Sequence, residues 1–87
     1  MRGEIVVVRA YRGKALVRRV WGADNQLVFL VEDSHFKSLI EGQESAVGLI
    51  GFPKEDVFKY DLKMAKEIND PSSREHFSWD KLEPWTT

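Results

Sequence analysis

The chain has no cysteine among its 87 residues, which removes disulfides, thiolate metal sites and thiol nucleophiles together. Small exported domains are often stapled by disulfides, so this absence points to a reducing compartment, and a cytoplasmic protein is the expectation. Long apolar runs are also missing. The longest, Leu27 to Val31, is five residues, against the ~20 that a membrane-spanning helix needs. No apolar stretch follows Arg2 as a secretory leader would require. Histidine is scarce, with two in the chain: His35 and His76 form no His-x-x-x-His pair, and a metal site would need the fold to bring both together with carboxylates. The glycines form no phosphate cradle, because no Lys-Ser/Thr pair follows Gly42 to Gly48. No catalytic residue, metal or cofactor is expected, and an enzyme is not.

What the chain does have is a charge split. Residues 1 to 21 carry six basic side chains (Arg2, Arg9, Arg12, Lys14, Arg18, Arg19) and one acid, Glu4. The other 66 residues carry seven basic and thirteen acidic ones. A net charge of −1 thus hides an end of +5 and a remainder of −6. A clustered field steers a partner in a way the average cannot.

Along the chain, Ile5–Ala10, Ala15–Trp21 and Leu27–Glu32 read as strands, separated by Tyr11-Arg12-Gly13-Lys14 and Gly22 to Gln26 as turns. Asp33-Ser34 reads as a helix cap, His35 to Glu41 as two turns of helix, and Gly42 as its C-terminal glycine. Ala46 to Phe52 is a fourth strand, Pro53 to Asp56 a single helical turn and Val57 to Tyr60 a short fifth strand. Leu62 to Asn69 has helical spacing, which Asp70-Pro71 ends. Five short strands at this spacing argue a small, strongly bent barrel, residues 1–61, followed by a helical and aromatic extension, residues 62–87. The fold class is therefore mainly β.

The strand faces carry a second inference. Val6 and Val8 lie on one side of the first strand and Ile5 and Val7 on the other; Val28 and Leu30 oppose Leu27, Phe29 and Val31 on the third. Strands apolar on both faces are covered on both. The interior covers one. The tail, with Phe77, Trp79, Leu82 and Trp85, is expected to cover the other, with a second subunit as the alternative.

The stretch Gly48-Leu49-Ile50-Gly51-Phe52-Pro53-Lys54-Glu55-Asp56-Val57 resembles the end of an SH3-like small barrel. There a glycine-hydrophobic-proline strand enters a 3₁₀ turn before a short last strand. The resemblance implies the five-stranded fold with a short inserted helix, here Asp33 to Gly42. It implies no ligand: Val8-Arg9-Ala10-Tyr11-Arg12 stands where peptide-binding members carry Ala-Leu-Tyr-Asp-Tyr, and Leu27-Val28 where they carry paired tryptophans.

Two functional surfaces follow. The first expectation is a protein–protein interaction module, self-associating or binding another protein, through the outer strand face and Phe77, Trp79, Leu82 and Trp85. The alternative is nucleic-acid or anion binding by the basic hairpin, with Arg9, Arg12, Lys14, Arg18 and Arg19 on phosphates and Tyr11 and Trp21 stacking on bases. Arg18 and Arg19 point to opposite faces, so one of them is expected to pair with an acid or lie along apolar surface. Asp33, Ser34 and His35 have the residue types of a hydrolytic triad, but neighbours at a helix start splay apart.

Overall fold

The computed structural model describes residues 2–42, 48–72 and 78–85. Five strands, β1 (Ile5–Arg9), β2 (Ala15–Ala23), β3 (Leu27–Val31), β4 (Ile50–Pro53) and β5 (Val57–Lys59), form one antiparallel sheet in the order β4-β3-β2-β1-β5. Two helices accompany it, α1 (Asp33–Ile40) and α2 (Leu62–Asn69). Single 3₁₀ turns occupy Tyr11–Gly13, Lys54–Asp56 and Trp79–Lys81.

Alternation along β1 sets the two layers. Val6 and Val8 join Val20, Val28, Leu30 and Val57 in an inner cluster, onto which Leu16, Phe52 and Trp85 pack. Val7 joins Ala15 and Phe58 in an outer cluster that α2 covers with Ala65 and Ile68, and the tail with Leu82. Both faces of the sheet are thus covered within one chain where Val7, Val28 and Leu30 lie.

The expected barrel is left open. β4 and β5 are the two edges of the sheet and do not pair with each other. The reason lies in the tail. Lys59 N–H donates to the Glu83 carbonyl at 2.8 Å, Trp85 N–H donates to the Val57 carbonyl at 3.1 Å, and Pro84 bridges Phe58. The tail therefore occupies the edge of β5 and adds a short strand segment there.

Turn chemistry explains the connections. Asp24 accepts from the backbone N–H groups of Leu27 and Gln26, each at 2.8 Å, and these bonds hold its carboxyl below the usual carboxylate range. Asp61 caps α2 by accepting from Met64 N–H at 3.1 Å. At the other end of that helix, the Asn69 amide clasps Ala15 of β2. Its Oδ1 accepts the Ala15 N–H at 2.9 Å and its Nδ2 donates to the Ala15 carbonyl at 2.8 Å.

Two local expectations are corrected. Glu32, not Asp33, stands at the N-cap position of α1, and it makes no side-chain cap bond. Asp33 is instead a first-turn acid engaged by the Arg19 side chain. β2 runs on to Ala23, with a register shift between Val20 and Gly22 that leaves Trp21 as the extra residue of a bulge. β4 begins at Ile50; the expected start at Ala46 falls outside the described residues. Among the described residues, no helix is long and apolar enough to cross a membrane.

Candidate functional site

The basic hairpin is largely committed to the chain's own acids. Arg9 leaves the outer face of β1 and donates from Nε to Asp56 Oδ1 at 2.9 Å and from Nη2 to the Glu55 carbonyl at 3.2 Å. Its guanidinium lies 5.4 Å from the ring centres of both Phe58 and Trp79. Arg19 binds Asp33 and donates from Nη1 to the Gly3 carbonyl at 2.8 Å. Arg18 donates to the Val17 carbonyl at 2.9 Å, with Glu32 3.8 Å away. Both arginines of the pair thus meet an acid, one on each face.

Trp21 is half-buried. The Arg2 guanidinium lies 4.2 Å above its ring and Phe36 of α1 meets it edge-on at 5.9 Å. Gly3, at φ +89°, lets Phe36 approach: a Cβ there would lie 3.1 Å from the Phe36 ring. α1 therefore docks through Phe36 on Gly3, Trp21 and Arg19.

Only the apex of the hairpin points outward without an acid partner among the described residues. Tyr11 is 82 % exposed, Lys14 is exposed, and the Arg12 guanidinium lies 5.3 Å from the Tyr11 ring. Arg12 adopts φ 62°, ψ 25°, the left-handed region that costs an L-residue roughly 1–2 kcal/mol. Arg12→Gly is accordingly expected to stabilise the fold by about 1 kcal/mol. Urea titration of the two chains checks this, and a loss of stability would show that the Arg12–Tyr11 stack outweighs the backbone strain.

The tail aromatics are placed against the chain's own sheet. Leu82 is buried, 3 % exposed. Trp79 lies on Phe58, ring centres 5.1 Å apart, beneath Arg9. Trp85 packs on the inner cluster and donates from Nε1 to Glu4 Oε1 at 3.1 Å. Phe77 lies outside the described residues.

What the tail and helices leave uncovered is a depression of about 240 Å³ on the outer face, lined by Ile5, Val17, Arg18, Arg19 and Asp33. Val17 is 39 % exposed at its floor. The β1–β5 register ends at the Val6–Lys59 pair, and Tyr60 follows it, 44 % exposed. Leu62 opens α2 on the same helix edge as Lys66 and Asn69, and Asn69 fixes that edge toward β2. Val17, Tyr60 and Leu62 are three of six large apolar side chains standing exposed among the described residues. The lining carries both signs, with Arg18 and Arg19 against Asp33.

Sequence reading named Ile5 on the outer strand face but not Val17, Tyr60 or Leu62. Ile5 and Val17 carried a usable signal, being apolar on a face that one short helix and a tail cannot wholly cover. Tyr60 and Leu62 follow β5 and open α2, and both stand exposed. His35 is exposed, its Nδ1 3.9 Å from Glu32 Oε2, and neither Asp33 nor Ser34 relays to it. Among the described residues, no three acidic or histidine side chains gather as metal ligands would.

Comparison of the chain with protein-family models, with curated proteins and with solved structures gave no significant match.

Proposed function

We propose that the protein is a non-enzymatic protein–protein interaction module, built on an SH3-like strand plan left open at one edge, that self-associates through its outer face. The observation that carries the reading is an outer-face depression lined by Ile5 and Val17, and the exposed Tyr60 and Leu62, which follow β5 and open α2, are proposed as its continuation. Apolar side chains gathered in this way mark a docking surface more often than isolated ones do. The mixed-sign lining favours a second copy. Positive and negative side chains on one surface complement those of a second copy across a two-fold axis.

Val17→Glu and Leu62→Glu test the reading by sedimentation equilibrium. Each is expected to weaken self-association by about thirtyfold, the scale of a hot-spot residue at about 2 kcal/mol. Each leaves the monomer's stability within about 0.5 kcal/mol, because neither side chain is in a core cluster. A chain that stays monomeric at about 1 mM, or variants that associate as the parent does, would overturn it.

A second reading, a nucleic-acid contact, is favoured by the exposed Tyr11 beside Arg12 and Lys14. With Arg9, Arg18 and Arg19 already paired, two cations remain for phosphates. Binding to a single-stranded oligonucleotide would then fall with salt at a slope of only about −1.4 in log–log form.

A further inference from the structure

The C-terminal segment fills a slot that the rest of the chain builds. β5 supplies the backbone side of it, through the Lys59 N–H and the Val57 carbonyl. The two faces of the sheet supply wells on either side of that edge. Leu82 enters the outer cluster with Val7, Phe58 and Ile68, while Trp85 enters the inner one beside Val6, Val8 and Val57. Trp79 takes a third position, on Phe58 and under Arg9. An extended segment held by its backbone at a sheet edge, with side chains anchored in turn on opposite faces, is the geometry of peptide uptake by strand addition. The ligand that fits is legible in the occupant itself: Trp79-x-x-Leu82-x-Pro84-Trp85.

We propose that the slot also accepts this segment from a second copy, so that two copies exchange residues 78–85. Every contact made within one chain is available between two, so the exchanged pair loses none of them and only the entropy of association opposes it. A short tether holds the segment at an effective concentration in the mM range. Exchange by itself therefore sets in near that concentration. The inference rests on the self-association proposed above only for its onset at lower concentration, where the outer-face contact brings two copies together.

The chain's lack of cysteine makes the test direct. Lys59 Nζ and Glu83 Oε1 lie 3.3 Å apart across the slot. Chains carrying Lys59→Cys and chains carrying Glu83→Cys are mixed at about 1 mM, oxidised mildly and run on a non-reducing gel. The expected result is a covalent heterodimer in excess over the dimers that either variant forms alone. The doubly substituted chain is expected to cross-link within itself when dilute and between copies when concentrated. Cross-linking that stays within one chain at both concentrations, with no excess heterodimer from the mixture, would overturn the exchange. Adding Val17→Glu separates the two readings. Loss of the heterodimer below mM concentration alone is the expected outcome. A heterodimer unchanged at every concentration sinks the outer-face contact and leaves the exchange standing.

Discussion

Leu82→Ala is expected to lower the stability of the isolated chain by about 3 kcal/mol, the middle of the range for a buried leucine truncated in a core. Leu82 is 3 % exposed and touches a cluster drawn from β1, β2, β5 and α2, so the cavity left behind has little slack to collapse into. In a domain of this size each kcal/mol moves the thermal midpoint by roughly 4–8 °C, so a fall of about 12–24 °C is expected in calorimetry. The size of the effect decides what the tail is. A segment that merely waited for a partner would contribute nothing to the midpoint. A tail that completes the outer layer makes its own leucine as costly to lose as one inside the sheet. Trp85 on the opposite face strengthens the point, because one short segment then braces both layers.

Asn69→Asp is expected to cost about 2–3 kcal/mol at neutral pH and less in acid. The wild-type amide both accepts from and donates to Ala15, whose backbone would otherwise be left unpaired beside α2. An ionised aspartate still accepts from the Ala15 N–H, but its second oxygen faces the Ala15 carbonyl and repels it. The neutral acid restores a donor. Facing a carbonyl disfavours the charged form, so the carboxyl of the folded variant titrates above that of the unfolded chain. Such a group contributes its stabilisation fully below the unfolded value and loses it as pH rises through the folded one. The deficit of the variant against wild type should therefore shrink as pH falls toward about 4, near the unperturbed aspartate value. A deficit independent of pH would mean that the clasp is not what holds α2 to β2.

Much of this architecture was legible because the physics is local. Apolar residues on both faces of Ile5–Arg9 announced two covered layers. The Leu62–Asn69 spacing announced a helix with those bounds. Pro53 and Val57 announced the 3₁₀ turn and the last strand between β4 and the tail. The tail's coverage of the sheet was read from the cost of leaving Phe77, Trp79, Leu82 and Trp85 in water; Trp79 and Leu82 meet the outer layer, whereas Trp85 goes to the inner one.

The rest depends on partners distant in sequence. Arg9 looked like a surface cation until Glu55 and Asp56, 46 and 47 residues on, were seen to claim it. Asp33 has the composition of a cap, and only the position of Arg19 on β2 shows it otherwise employed. The Trp21 bulge has no signature in its own residues, since it is a mismatch between two strands. The open barrel follows from competition for one edge of β5, which no strand pattern records. The outer-face depression is likewise a product of register: Ile5 and Val17 share its lining because Ile5 pairs with Arg19 and Val7 with Val17 across β1 and β2.

The most direct test of the docking face is a dilution series followed by amide chemical shifts, from about 1 mM down to about 10 μM, spanning the affinity range of transient self-contact. The account predicts concentration-dependent shifts at Ile5, Val17, Arg18, Arg19, Asp33, Tyr60 and Leu62, with the tail amides Leu82 and Trp85 unmoved. Shifts confined to Tyr11, Arg12 and Lys14, or a spectrum that does not change with concentration, would contradict it.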